Sequence, residues 1–190
     1  MFLAAFVVLS LITVPLAGGR LSRLASVHLR WSPLIFGALA IQIVIVTLVP
    51  GGSPSLHRGL HLASYAFAAA FLFANRRIAG MWMIALGALS NVIAIVANNG
   101  VMPASASAMR AAGEIPDTQG FMNSTLLAHP KLLVLGDVFA IPKSWPLHNV
   151  FSIGDVCIAI GAAYAIHTLS GSRRLARLTR FDRRSADSLS

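Results

Sequence analysis

Cysteine and charged residues are scarce in this chain of 190 residues. The single cysteine, Cys157, lies in an apolar stretch and has no second thiol to pair with, which excludes a disulfide-stapled secreted scaffold. Only 11% of the residues are charged, whereas an average soluble domain has about 25%. The apolar fraction is 56% and the mean hydropathy is +0.75. These values exclude a soluble single domain and a disordered chain, and they predict an integral membrane protein.

Sequence motifs for nucleotides, structural zinc and serine hydrolysis are also missing. The chain contains no GxGxxG, GxxxxGK[ST], CxxC or GxSxG. His57 and His61 have the i, i+4 spacing of metal ligands on a helix, but no third ligand follows nearby. We therefore expect no cofactor and no metal, and we interpret these histidines as packing or interfacial residues.

The apolar residues fall into five segments, and a helix that crosses a bilayer needs about 17–25 residues. The segments are 2–17, 33–49, 60–74, 78–97 and 150–169. The sequence thus predicts an all-α membrane protein, a bundle of about five transmembrane helices forming a single domain over 1–170. Gly80 with Gly87, and Gly154 with Gly161, are spaced seven apart and so share a helix face. Small residues on one face predict close helix packing.

Basic residues are unevenly distributed along these segments. Eleven arginines fall on one side of a five-span arrangement, and Arg58, Arg110, Lys131 and Lys143 fall on the other. This bias predicts a multi-pass protein of the bacterial inner membrane, with the amino terminus outside and a basic tail, 171–190, in the cytoplasm. The expected partners are the lipid bilayer, anionic lipids at that tail, and a membrane protein or a second copy of the chain. Nucleic acid is not expected, because the cations lie beside hydrophobic segments.

The segment 98–149 is too long for a simple connection and contains both prolines and large apolar residues. We expect it to form an ordered cap on the outer face of the bundle, with a polar pocket beneath it. The pocket would bind a small or lipidic ligand or a protein partner. The candidate binding residues are Asn91, Asn98, Asn99, His129, Asp137 and Asp155.

Several of these residues have a structural interpretation beside the functional one. Asn98 and Asn99 precede Gly100 and could simply end a helix. Asp155 is either part of a site or a first-turn acid favoured by the helix dipole. Asp137 and Asp155, each in a Gly-Asp step, could share a proton and activate a water. Two independent structural aspartates are the alternative.

Seven short motifs resemble the bacterial domain-of-unknown-function family 5317. They are GGRLSRLA at 18–25, LHLASY at 60–65, ANRR at 74–77, NNGVMPAS at 98–105, LLVLGDV at 132–138, IP at 141–142 and FSIGD at 151–155. The similarity covers about 1–169. It implies a polytopic fold and carries no established activity.

A shorter carboxy-terminal part is similar to the type II lipoprotein signal peptidases, aspartic peptidases of the bacterial membrane. LGDVF and FSIGD resemble the two catalytic segments of that family, and their aspartates lie eighteen residues apart. The resemblance implies that Asp137 and Asp155 would be the catalytic pair of an intramembrane hydrolase. A structural subunit of a membrane complex is a third expectation, compatible with the Gly- and Ala-rich helix faces.

Overall fold

The computed structural model describes residues 2–45, 54–114 and 124–172. Within these ranges the chain forms seven α-helices and two small sheets. The helices are α1 (Phe2–Leu16), α2 (Ser22–Ala25), α3 (Ser32–Ile43), α4 (Pro54–Ala74), α5 (Met81–Ala97), α6 (Ala106–Ala112) and α7 (Ile153–Leu169). The strands are β1 (Met102–Pro103), β2 (Ser124–Thr125), β3 (Phe139–Ile141) and β4 (Asn149–Phe151), and a 3₁₀ helix covers Leu133–Leu135.

The prediction of an all-α bundle of membrane-crossing helices is wrong. No helix of the described ranges combines the length and the apolar character that a membrane span requires. At about 1.5 Å per residue, α5 and α7 are about 26 Å long, against a hydrocarbon core of about 30 Å. The longest helix, α4, has 21 residues, but His61 and Ser64 interrupt its apolar character. The two sheets further separate the fold from an all-α one.

Particular residues set the short helix lengths. Before α5, Gly80 adopts a left-handed backbone conformation with φ of 89°, and after it Asn99 and Gly100 have φ of 58° and 96°. Trp31, directly before α3, also has a left-handed backbone conformation. Such residues cannot continue a right-handed helix, so α5 is confined to 17 residues. The apolar pattern of the sequence predicts a longer segment, 78–97.

Glycines bring α5 and α7 into direct contact. Gly87 lies against Gly154, and Gly80 lies against Gly161, so the two helices run antiparallel. A Cβ atom added at Gly87 would overlap the carbonyl oxygen of Gly154, and one added at Gly80 would overlap that of Gly161. The prediction that the two glycine pairs mediate close helix packing is confirmed. Elsewhere α3 packs on α4, and α1 packs on α7.

The segment between α5 and α7 folds back on the helices through short pieces of regular structure. β1 pairs in parallel with β2, and β3 pairs with β4 in an antiparallel ladder that aligns Phe139 with Phe151. Helix α6 packs on β3 and β4. The resulting core consists of small and flexible apolar side chains, namely Ala104, Ala108, Met109, Ala112 and Val150. The predicted basic tail lies outside the described residues from position 173 onward.

Candidate functional site

A cavity of about 650 Å³ lies where α1, α3, α4, α5 and α7 meet the segment that follows α5. Phe2, Met102 and Val150 contribute apolar walls. Polar side chains enter the cavity from several elements that are distant in sequence. They are Gln42, His61, Tyr65, Asn91, Asp137, Asn149 and Asp155. We call this space the central cavity.

Three of the six predicted binding residues line the central cavity. They are Asn91 on α5, Asp137 in the loop before β3, and Asp155 in the first turn of α7. These positions are up to 64 residues apart in the chain. The sequence therefore identified residues that the fold brings to one place.

Asn91, Ser152 and Asp155 form one hydrogen-bonded cluster. The Asn91 Nδ2 donates to Asp155 Oδ1 at 3.0 Å, and the Ser152 hydroxyl donates to Asn91 Oδ1 at 2.9 Å. Gly154 permits this approach, because a Cβ there would overlap the Asn91 side chain. The cluster fixes the first turn of α7 against the middle of α5.

Asp155 also caps the helix in which it lies. Its backbone N–H donates to Ser152 Oγ at 3.0 Å, and its Oδ2 accepts from the Ser152 backbone N–H at 3.0 Å. This reciprocal arrangement is a capping box, which satisfies two backbone donors at a helix amino terminus. Both carboxylate oxygens of Asp155 are thus engaged in hydrogen bonds. The interpretation of Asp155 as a first-turn acid agrees with this geometry.

Asp137 is positioned by its backbone. Its N–H donates to the Pro103 carbonyl at 2.9 Å, and its own carbonyl accepts from the Ser105 N–H at 3.0 Å. Gly136 allows the two segments to meet, since a Cβ at that position would overlap the Pro103 carbonyl oxygen. The Asp137 side chain is buried, with 5% of its surface exposed, at the wall of the central cavity. The Gly-Asp step therefore serves a close approach of two chain segments.

A second polar group lies between α3 and α4 and was not among the predicted binding residues. Gln42 Nε2 donates to Ser64 Oγ at 2.7 Å and lies 3.3 Å from His61 Nδ1, while the Ser64 hydroxyl donates to the His61 carbonyl at 2.8 Å. The His61 ring stacks on Tyr65 with centroids 5.8 Å apart, and burial raises the pKa of the Tyr65 phenol above its ordinary value of 10.0. Two members of the group stand out in the sequence, namely His61 through its spacing from His57, and Gln42 as a lone amide within the apolar segment 33–49.

The remaining predicted residues lie apart from the central cavity. Asn98 is buried and holds the backbone of Lys131, donating to its carbonyl at 2.7 Å and accepting from its N–H at 2.8 Å. Asn99 lines a smaller neighbouring cavity of about 140 Å³, and His129 is exposed. The interpretation of Asn98, Asn99 and Gly100 as a helix end agrees with their backbone conformations.

A family model described as a family of unknown function, DUF5317, matches residues 26–167 of the chain. No curated protein and no solved structure matches the chain. The resemblance to type II lipoprotein signal peptidase is thus not supported. The matched range contains the polar lining of the central cavity, from Gln42 to Asp155, and the α5–α7 contact. Because this range covers well over half of the chain, the protein belongs to the DUF5317 family of unknown function.

Proposed function

We propose that the protein binds a small amphipathic molecule in the central cavity. The observation that carries the proposal is the convergence of polar residues from α3, α4, α5, α7 and the segment between α5 and α7 on one concave, otherwise apolar space. Small-molecule sites commonly occupy about 300–1,000 Å³, with apolar walls and a few polar groups that orient the ligand. The cavity volume of about 650 Å³ lies in the middle of that range.

The two polar groups suggest how such a ligand would be oriented. Gln42 and His61 come from α3 and α4, whereas Asn91 and Asp155 come from α5 and α7. The hydrogen bonds within each group hold its side chains in place before a ligand arrives. A preorganised site loses less conformational entropy on binding. Apolar contacts with Phe2, Met102 and their neighbours would supply the affinity, and the polar groups would supply the selectivity.

Binding of the neutral, polarity-sensitive dye Nile red by the full-length protein tests the proposal. The variant Ala4→Trp places an indole at the cavity wall, and Ala69→Trp places the same group at an exposed position of α4 outside the lining. We expect saturable one-to-one binding by the natural protein and by Ala69→Trp, and at least a tenfold weaker affinity for Ala4→Trp. Equal affinity in all three proteins would show that the dye binds elsewhere, and the proposal would be wrong.

Hydrolysis of a lipid-anchored or peptide substrate is a second candidate function. It is favoured by one observation, that Asp137 and Asp155 line the same cavity. It ranks second because both oxygens of Asp155 already accept hydrogen bonds from Asn91 and Ser152. Purified natural protein and its Asp137→Asn variant, incubated with lipid-anchored peptides, test this candidate. Equal cleavage by the two proteins, or none by either, would exclude a role for the aspartate pair.

A further inference from the structure

Five exposed arginines lie together at one end of the molecule, and we call this surface the basic end. It consists of Arg20, Arg23, Arg30, Arg76 and Arg77. The hydrogen-bonding pattern places them on the same end although they belong to two separate connections. The Arg20 N–H donates to the Ser170 carbonyl at 3.0 Å, which ties the end of α1 to the end of α7.

The second connection joins the same end through Asn75. Its side chain accepts from the Arg30 N–H at 2.9 Å and donates to the Arg30 carbonyl at 2.8 Å. Arg76 and Arg77 follow Asn75 directly, and the chain then reaches Gly80, which lies against Gly161 at the middle of α7 and against Ala165 about one turn before its end. The connections that carry the five arginines therefore all lie toward the carboxyl end of α7.

The acidic residues of the described ranges lie at the opposite end. Glu114 follows α6, Asp137 precedes β3, and Asp155 is in the first turn of α7. The basic end thus has five positive charges and no described acid beside them. The chain continues from Ser172 at this end, and the sequence of 173–190 adds six arginines against two aspartates. The charge distribution is polarised along α7, which makes the basic end a surface for an extended anionic partner.

Large apolar side chains are interleaved with these arginines and determine the kind of partner. Arg76 lies over the Phe73 ring with its Cζ 4.1 Å from the ring centroid, and Phe73 itself is 64% exposed. Aromatic and leucine side chains beside cations are typical of surfaces that dock on lipid head groups, where the apolar groups enter the acyl boundary. Leucine neither stacks on nucleobases nor pairs with phosphate, so nucleic acid explains less of this surface. The exposed apolar residues at the basic end are Leu16, Leu21, Leu29, Trp31, Phe73 and Trp82.

We propose that the basic end docks on an anionic lipid surface, with the arginines on the lipid phosphates and the interleaved apolar side chains in the head-group boundary. This surface is separate from the central cavity, and it uses residues of the described chain rather than the tail alone. Each arginine beside an anionic membrane contributes about fivefold to the partition coefficient. Because the attraction is electrostatic, it weakens as the Debye length falls from about 10 Å at 0.1 M salt to about 3 Å at 1 M.

Flotation of the full-length protein with vesicles tests the proposal. The measured quantity is the ratio of partition coefficients for vesicles with about one third phosphatidylglycerol and for pure phosphatidylcholine vesicles. Replacing Arg20, Arg30 and Arg77 by glutamine leaves the side-chain contacts of Arg23 and Arg76 intact. We expect this triple variant to lower the ratio by tenfold to about one hundredfold. High salt should bring the ratio for the natural protein close to one, because it screens the attraction to anionic vesicles.

A charge-matched control separates location from net charge. The variant in which Arg110, Lys131 and Lys143 become glutamine also removes three exposed cations, but from the opposite end. We expect the ratio of partition coefficients for this control variant to lie within twofold of that for the natural protein. A variant in which Arg20, Arg30 and Arg77 become lysine should also keep the natural ratio. Circular dichroism of each variant confirms its helical content. A ratio that falls equally in both glutamine variants, or that survives in the basic-end variant, would overturn the proposal.

Two further measurements distinguish a lipid surface from other anionic partners. Inorganic phosphate added at constant ionic strength should leave the ratio unchanged, because a lipid surface is bound by several separated arginines. A ratio that falls close to one when phosphate is added would instead indicate a site for a single phosphate ion. A fluorescent single-stranded oligonucleotide should bind more weakly than the anionic vesicles. Tighter oligonucleotide binding that requires Arg20, Arg30 and Arg77 would also refute the lipid assignment.

Discussion

The close crossing of α5 and α7 makes opposite predictions for two glycine-to-alanine substitutions. At Gly87, a Cβ atom would lie 2.9 Å from Ile158 Cγ1 and 3.0 Å from Cys157 Cβ, and would overlap the carbonyl oxygen of Gly154. That oxygen belongs to the α7 backbone and can move only if the helix moves. At Gly59, on α4, a Cβ would meet nothing within 4 Å. Both positions are helical, so the intrinsic preference for alanine is the same in both.

The expected free energies follow from these surroundings. Alanine in place of glycine within a helix stabilises by roughly 0.5–1 kcal/mol when the added methyl group is unobstructed. Overpacking a close contact costs about 1–3 kcal/mol. Gly59→Ala should therefore raise the free energy of unfolding by about 0.5–1 kcal/mol, and Gly87→Ala should lower it by about 0.5–2 kcal/mol.

Thermal unfolding followed by circular dichroism measures the difference between the two variants. For a chain of this size, 1 kcal/mol corresponds to about 2–4 °C in Tm. We expect Gly87→Ala to unfold below the natural protein and Gly59→Ala to unfold slightly above it. A Tm for Gly87→Ala equal to that of Gly59→Ala would show that α5 and α7 do not touch at this glycine, and the packing argument would fail.

Three other predictions concern buried or capping polar side chains of the fold. Asn98→Ala removes a buried amide that holds loop backbone and should lower the free energy of unfolding by about 1–3 kcal/mol in a denaturant titration. Ser152→Ala removes a helix cap worth about 0.5–2 kcal/mol. It should cost more than Ser105→Ala in the same titration, because the Ser152 hydroxyl also donates to Asn91, and equal costs would contradict this. Burial raises the pKa of the Tyr65 phenol in the folded protein above its value of about 10 in the unfolded chain. Above about pH 10 the phenol therefore loses its proton more readily in the unfolded chain, and the free energy of unfolding should fall with rising pH. Tyr65→Phe should flatten that fall, and an unchanged slope would assign it to other groups.

Much of the candidate site was accessible from residue type and spacing. Asn91, Asp137 and Asp155 stood out because acids and amides are rare in this chain, and all three line the central cavity. The residues on its other side were missed. Gln42 and Tyr65 are separated by more than twenty positions, and no local pattern indicates that α3 and α4 would bring them together.

Hydropathy located the five longer helices and most of their ends, although α4 begins at Pro54, before the apolar segment 60–74. Apolar runs mark where helices form, but left-handed residues such as Asn99 and the glycines beside α5 decide where they end. The expectation of membrane-crossing helices failed because the helices of the described ranges fall short of a membrane span in length or in apolar character. The short strands were equally hidden, because a pair of two- or three-residue strands leaves no periodic signal.

The sequence alone determined the helix caps, the small-residue faces of α5 and α7, and the concentration of arginines in particular connections between helices. Each depends on residues close together in sequence, whose preferences need no distant partner. Only the tertiary structure decided that Asp155 Oδ1 accepts from Asn91, and that Asn98 holds a loop rather than lining the cavity. These roles arise from contacts across 33 and 64 residues of chain, and the identity of such partners is set by packing of the whole fold.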